Sequence, residues 1–119
     1  MQYLLMIYED ESQRANWTEA TINQTLSAYY AYTDALQSAG HLLGGNRLRP
    51  VATATSVRVV DGKNQVLDGP YAETREQLGG YYLIDVPDLD QAISWAARCP
   101  GANIGTIEVR PIWPVAEER

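Results

Sequence analysis

The chain has 119 residues, a length that suits a single domain of ordinary size. Apolar residues make up 45% of it and charged residues 20%, as in globular proteins that form a core without disulfides or metal. Nine basic residues against fifteen acidic ones give a net charge of −6, and only Arg47 and Arg49 lie close together. This balance argues against nucleic-acid binding and against an anionic membrane surface.

The single cysteine, Cys99, excludes an internal disulfide and suits a reducing compartment. The apolar run at residues 3–8 has no basic segment before it and no cleavage site after it, unlike a signal peptide. No stretch reaches the roughly 20 apolar residues of a membrane helix. We therefore expect a cytoplasmic protein.

The first half of the chain predicts a strand, a long helix and a second strand. Residues 2–8 form a compact apolar run typical of a buried strand, and a polar loop follows at 9–17. Residues 18–39 carry apolar side chains every three or four positions, with Thr18 as N-cap and Gly40 as terminator. Residues 42–49 predict a strand that contains two glycines.

A hairpin follows, with strands at 53–60 and 65–67 around the turn sequence Asp61-Gly62-Lys63-Asn64. Residues 72–78 could hold one helical turn, and 81–86 predict a strong strand. Asp88 then caps a second helix that ends at residue 98, and a last strand covers 104–111. The domain therefore spans 1–113, and we expect the charged tail 114–119 to be disordered.

The order β-α-β, hairpin insert, β-α-β predicts an α+β protomer of the ferredoxin-like type. Both helices would cover one face of a four-stranded antiparallel sheet. The other face would need a cover too, and a second subunit is the simplest one, so we expect a homodimer.

The stretch Asp68–Tyr81, DGPYAETREQLGGY in one-letter code, closely resembles the signature of the YCII-related family, in its DGPF-domain branch. The similarity continues through 82–90 and 95–98, and it includes the start at 3–8 and the ending at 107–111. It therefore covers residues 2 to about 112. The resemblance implies a dimeric α+β barrel built from ferredoxin-like protomers.

For function the resemblance implies less. The wider superfamily includes isomerases, dehalogenating enzymes and monooxygenases that work in the barrel interior, and DGPF-branch proteins are often encoded near alternative sigma factors. Some relatives carry a His–Asp pair proposed as catalytic, with the His near the start of the first helix. Positions 22–24 of this chain hold no histidine, so that machinery is not carried over.

Three residues are candidates for proton transfer. The Asp68 carboxylate could accept backbone N–H bonds and so close the turn before Gly69, or it could act as a general base directed into the barrel. Glu73 could pair with an arginine or bind a ligand. His41 is a candidate because histidine is the residue type that exchanges a proton near neutral pH. Its position after the first helix offers an alternative without catalysis, because a positively charged imidazole there would favour the helix C-terminus.

Aromatic residues and a glycine pair are candidates for ligand binding. Eight tyrosines and no phenylalanine suggest a pocket that is apolar with hydroxyl tips, although packing in a dimer core would explain them equally well. Exposed N–H groups at the glycine pair could hold an anion, or the pair could form a bulge that enters a strand. The residues concerned are Tyr8, Tyr71, Gly79, Gly80, Tyr81 and Tyr82.

Two functions remain open. One is a small cofactor-free enzyme of isomerase or lyase type, with Asp68 or Glu73 moving a proton on a small molecule in the barrel. The other is a non-catalytic ligand-binding or regulatory protein, linked by the resemblance to alternative sigma factors. We expect no metal site, because one histidine and one cysteine offer no clustered ligands.

Overall fold

The computed structural model describes residues 1–117. Its strands are β1 (Gln2–Glu9), β2 (Leu42–Arg47), β3 (Thr55–Val60), β4 (Lys63–Asp68), β5 (Gln77–Asp85) and β6 (Thr106–Pro111). Its α-helices are α1 (Glu19–Ser38) and α2 (Leu89–Arg98). Short 3₁₀ helices cover Glu11–Asn16, Val51–Thr53, Pro100–Asn103 and Val115–Glu117. No helix within residues 1–117 is long and apolar enough to cross a membrane.

Four strands form one antiparallel sheet in the order β2-β5-β1-β6. With the two helices, this order is the ferredoxin-like arrangement that the sequence predicts. Within the described residues the sheet is open, so a single chain does not form a closed barrel. The β-barrel of the predicted assembly requires a second copy.

The core lies between the two helices and one face of the sheet. Alternate residues of β1 point into it, and Leu5 is fully buried there beside Ile84 of β5 and Leu36 of α1. The Tyr32 hydroxyl of α1 donates a 2.7 Å hydrogen bond to the Trp95 carbonyl of α2, which ties the helices together. The opposite face carries half-buried side chains and has no helix over it.

Strands β3 and β4 form a separate two-stranded hairpin, which we call the arm. Its turn residues Asp61 and Gly62 have φ angles of 52° and 75°, the two positive values of a type I′ turn. Apart from half-buried Ser56, every residue of β3 and β4 is exposed. The radius of gyration is 16.5 Å, against about 13–14 Å for a compact chain of this length, because the arm projects from the body.

Local predictions are confirmed at three helix ends. The Thr18 hydroxyl accepts from the Thr21 amide, and the Asp88 carboxylate accepts from the Gln91 amide. Gly40 has φ 77°, the left-handed conformation that ends α1.

The helical turn predicted at 72–78 is wrong. Residues 72–76 are irregular and β5 begins at Gln77, because Gln77 pairs with Glu9 in the sheet and this pairing outweighs local helix preference. The polar loop predicted at 9–17 contains the 3₁₀ helix Glu11–Asn16. Of the predicted tail 114–119, residues 115–117 form a 3₁₀ turn and residues 118–119 lie outside the described part of the chain.

Candidate functional site

A cavity of about 620 Å³ separates the N-terminal half of α1 from the sheet. Its helix side is formed by side chains of Ile22, Thr25, Leu26, Tyr29, Tyr30 and Thr33. Its sheet side is formed by β2 and the first half of β5, with the end of β1 at one corner. A volume of this size accommodates a small organic molecule.

Glycines on two neighbouring strands keep the cavity open. Gly44 and Gly45 of β2 pair with Leu83 and Tyr82 of β5, and Gly79 and Gly80 at the start of β5 also line the cavity. A Cβ atom at Gly45 would lie 2.8 Å from the Tyr81 carbonyl oxygen, and one at Gly80 would lie 2.9 Å from the Asn46 carbonyl oxygen. The two strands therefore require glycine for their close approach, and the same glycines leave space below α1.

A carboxylate lies at the corner of the cavity. Glu9 follows Tyr3, Leu5 and Ile7 on the core-facing side of β1 and is 6% exposed. Arg14 donates to its Oε2 from Nη2 at 2.8 Å and from Nε at 3.3 Å. Within residues 1–117 these hydrogen bonds fall on one oxygen only, so Oε1 has no donor there.

The 3₁₀ helix after β1 positions Arg14. The Asp10 carboxylate caps it by accepting from the Ser12 hydroxyl at 2.6 Å and from the Ser12 amide at 3.0 Å, and these two hydrogen bonds lower the pKa of Asp10. The guanidinium also lies over the Trp17 ring, 5.3 Å from its centroid. Arg14 is therefore held between a carboxylate and an aromatic face, and all three side chains line the cavity.

A buried hydroxyl lies at the other side of Ile7. The Tyr29 side chain lines the cavity, and its hydroxyl lies below the cavity against Gly101, where in the described part of the chain it is buried without a hydrogen-bond partner. Burial, together with the nearby Cys99 and Glu9, raises the pKa of Tyr29 above its usual range. A Cβ at Gly101 would lie 2.6 Å from this hydroxyl, so Gly101 provides the space that it occupies.

Two further hydroxyls line the cavity toward its other end. Tyr82 and Thr33 share a 2.8 Å hydrogen bond, and burial raises the pKa of Tyr82. The Tyr81 side chain lies on the uncovered face of the sheet beside Met6 of β1, and its hydroxyl accepts from the Asn46 amide group there at 2.9 Å. The cavity is therefore mostly apolar, with one carboxylate–guanidinium pair and separate hydroxyl groups.

Four of the ligand-binding residues that the sequence suggested border the cavity, namely Gly79, Gly80, Tyr81 and Tyr82. The side chain of Tyr81, however, lies on the opposite face of the sheet. The bulge alternative for the glycine pair is confirmed. Ile7 pairs with Gly80 and Tyr8 with Leu78, so Gly79 is the additional residue between them.

The other suggested residues lie outside this cavity. Tyr8 is on the uncovered face of the sheet, and His41 donates from Nδ1 to the Asp85 carbonyl oxygen at 2.9 Å. Asp68, Tyr71 and Glu73 are exposed at the base of the arm, where the Tyr71 ring lies beside Arg58. Their roles in catalysis or binding stay predictions.

Sequence reasoning missed Glu9, Arg14 and Tyr29. Glu9 had a readable signal, because it continues the period of two set by buried Tyr3, Leu5 and Ile7 and therefore places a carboxylate on the core side. The sequence carries no comparable signal for Arg14 and Tyr29. The contact of Arg14 depends on a 3₁₀ turn, and the space around the Tyr29 hydroxyl depends on Gly101.

A second, smaller cavity of about 350 Å³ shares Glu9 and Trp17 with the first. Its other walls come from the Asp10–Gln13 turn, from Arg75 and Glu76, and from Ile104. Glu9 therefore separates an apolar cavity from a polar one. Among residues 1–117 no three His, Cys, Asp or Glu side chains are grouped closely enough to hold a metal ion.

A model of the YCII-related domain matches residues 1–116. The chain belongs to the YCII-related family. An uncharacterized protein of Rhizobium meliloti (strain 1021) is 38% identical over 114 residues, which cover 94% of this chain and 92% of that protein.

Among solved structures, the chain is similar to 5-chloro-2-hydroxyhydroquinone dehydrochlorinase (TftG) from Burkholderia phenoliruptrix AC1100, determined in complex with 2,5-dihydroxybenzoquinone. The TM-score is 0.56, and the match covers 98% of each chain at 11% identity. This likeness shows a shared fold.

Proposed function

We propose that this protein is a small-molecule enzyme that moves a proton on a hydroxylated ring compound bound in the cavity below α1. The observation that carries the proposal is the buried Glu9 carboxylate, with Oε2 held by Arg14 and Oε1 without a donor in the described residues. A carboxylate oxygen that faces an apolar cavity is suited to accept a proton from a bound molecule.

The surrounding groups define the substrate class. Apolar side chains of α1 would cover the two faces of a flat ring, and the buried Tyr29 hydroxyl would donate to an oxygen on that ring, which would satisfy its missing hydrogen bond. Thr33 and Tyr82 offer a second hydroxyl pair. The dehydrochlorinase with the same fold is named for such a ring, which supports the proposal.

In the reaction, Glu9 takes a proton from the substrate, and the electron pair of the broken bond moves into the ring. The proton returns to another ring position in an isomerisation, or a leaving group departs with its electron pair in an elimination. Arg14 keeps the carboxylate oriented throughout and offsets its charge. The chemistry uses only side chains of this chain.

The test uses 2-hydroxyhydroquinone under argon as the probe, because its ring hydrogens exchange with D₂O through keto tautomers. The protein should bind it, as read by Trp17-dependent fluorescence or calorimetry, and should accelerate ring deuteration in an NMR assay. Glu9→Gln should keep binding within a few-fold and lose about 10²–10⁴-fold in exchange rate. Tyr71→Phe, at an exposed tyrosine outside the cavity, is the matched control.

A specific observation favours one alternative. Arg14 already neutralises Glu9, so the cavity could hold a ligand without any proton transfer. A binding or regulatory protein would then bind the probe with no acceleration of exchange, and Tyr29→Phe would weaken binding alone. That result would overturn the catalytic proposal, and the cavity would remain as a ligand-binding site. Absence of binding to the whole class of hydroxylated rings would overturn both.

We further propose that the protein is a homodimer in the cytoplasm, with the uncovered face of the sheet as interface. Half-buried Leu4, Met6, Tyr81 and Leu83 on that face support it, because they form a mostly apolar surface without a covering helix. Sedimentation should show a dimer, and Leu83→Lys should shift it toward monomer. A monomer at all concentrations would overturn the dimer.

A further inference from the structure

The arm carries an apolar surface that nothing in the described chain covers. Directly opposed residues in an antiparallel pair share a face, so the pairs Val57–Val66 and Val59–Asn64 place three valines on one side of the arm. Val57, Val59 and Val66 expose 63%, 64% and 65% of their surface. We call these three residues the valine face.

An arm of this kind is not stable by itself. A single two-stranded hairpin is at best marginally stable in water, because only one row of hydrogen bonds and a few side-chain pairs oppose the entropy of the chain. Here the base is fixed by the Gly69 amide, which donates to the Ala54 carbonyl at 2.7 Å, and by the Ser56 hydroxyl, which donates to the Gly69 carbonyl at 2.9 Å. These contacts hold the base and leave the valine face without a partner.

We propose that the valine face packs on a second copy of this chain, so that in a two-fold dimer the arm of each protomer packs against the body of the other. This inference rests on the homodimer proposed above and adds a second contact surface to it. The area argument favours such a combined interface. The exposed apolar side chains of the arm offer about 300 Å², and the uncovered sheet face offers about 400 Å² from its strand spacing and length.

Neither surface alone reaches the roughly 800 Å² that each partner contributes to a stable interface, whereas the two together approach it. Two-fold symmetry covers both surfaces on both copies at once.

The charge of the arm also favours a second copy of this chain as the partner. The chain carries −6 overall, but strands β3 and β4 with their turn contain two basic and two acidic residues, so the neutral arm can approach a second acidic copy.

The experiment combines sedimentation with amide hydrogen exchange on the full chain. Val66→Lys places a charge on the valine face, and Leu67→Lys places the same charge at another exposed apolar residue, opposite Ser56 on the other face of the same strand, as the matched control. Because both arms of a dimer change together, Val66→Lys should raise the dimer dissociation constant at least about 30-fold. Leu67→Lys should change it by less than about threefold.

Amides of residues 55–68 should be protected from exchange at high protein concentration and should lose that protection on dilution into monomer. A dimer in which Val66→Lys has no effect and the arm is unprotected would overturn the arm contact and leave the sheet-face dimer intact. Protection that is equal in monomer and dimer would show that the arm packs on its own protomer, which also overturns the proposal. A chain that stays monomeric throughout would overturn both the arm contact and the homodimer, whereas the proposed proton transfer is read separately.

Discussion

Replacing Arg14 with methionine should destabilise the protein more than replacing its partner Glu9 with glutamine. In Arg14→Met the Glu9 carboxylate stays 6% exposed and loses both of its hydrogen bonds from the guanidinium, at 2.8 and 3.3 Å. An uncompensated charge is then left in a largely apolar corner. In Glu9→Gln the side chain keeps its shape and an acceptor oxygen, and Arg14 can turn toward water because its side chain is already 36% exposed.

The magnitude follows from this asymmetry. Removing one partner of a fully buried ion pair costs about 3–5 kcal/mol. Since Arg14 is partly solvated and the cavity admits water, the pair is screened, and we expect about 1–3 kcal/mol for Arg14→Met. For Glu9→Gln we expect below about 1 kcal/mol, the usual net value of an exposed pair.

Urea unfolding of the two single variants and of the double variant measures both values at pH 7. Glu9→Gln should stabilise the Arg14→Met background, because it removes the uncompensated charge. If Arg14→Met costs no more than Glu9→Gln, or if Glu9→Gln fails to stabilise the Arg14→Met background, then the carboxylate does not depend on Arg14 for compensation.

Three further predictions concern the fold. Tyr32→Phe removes the 2.7 Å hydrogen bond to the Trp95 carbonyl and should lower the free energy of unfolding, measured in urea, by about 1–2 kcal/mol. The far-ultraviolet circular dichroism spectrum should not change. A neutral effect on stability would contradict a helix–helix hydrogen bond at that site. Gly105→Ala should lower the free energy of unfolding by at least about 2 kcal/mol, because the new Cβ would collide with the Tyr8 carbonyl oxygen. Gly44→Ala is the control and should be neutral, because a Cβ there meets open space. Equal urea midpoints for the two variants would refute the close approach at Gly105. Burial raises the pKa of Tyr32, so above about pH 10 the unfolded state releases a proton that the folded state keeps, and stability should fall by about 1.4 kcal/mol per pH unit for this residue alone. Burial also raises the pKa of Tyr29 and Tyr82, so absorbance titration near 295 nm should show Tyr29, Tyr32 and Tyr82 ionising together with unfolding. Ionisation of these three in the folded protein would contradict the prediction.

Much of the fold could be predicted because its signals are local. The strand at residues 2–8, the caps Thr18 and Asp88 and the Asp61-Gly62 hairpin turn are set by side chains within a few positions of each other. The error at 72–78 has the opposite origin. Its residues have acceptable helix preferences, but Gln77 pairs with Glu9 across 68 positions of sequence, and no local pattern contains that information.

The candidate site could be predicted less well than the fold, because its position depends on tertiary structure. The family resemblance is concentrated in the segment around Asp68, which lies at the exposed base of the arm. The cavity instead forms where α1 crosses four glycines of two neighbouring strands. The catalytic residues suggested from sequence, Asp68, Glu73 and His41, remain untested, while the carboxylate that the cavity contains is Glu9.

The sequence by itself determined the elements, their order and the family, because caps, turns and apolar periods act over short distances and the signature residues are contiguous. The period of two along β1, continued one residue past the predicted strand end at residue 8, points the Glu9 side chain toward the core, although the sequence prediction placed Glu9 in a loop. Only the tertiary structure decided that Arg14 meets Glu9, that Gly101 makes room for the Tyr29 hydroxyl, and that no part of residues 1–117 covers the valine face of the arm. Each of these depends on how separate elements pack, and packing is a property of surfaces that meet in space.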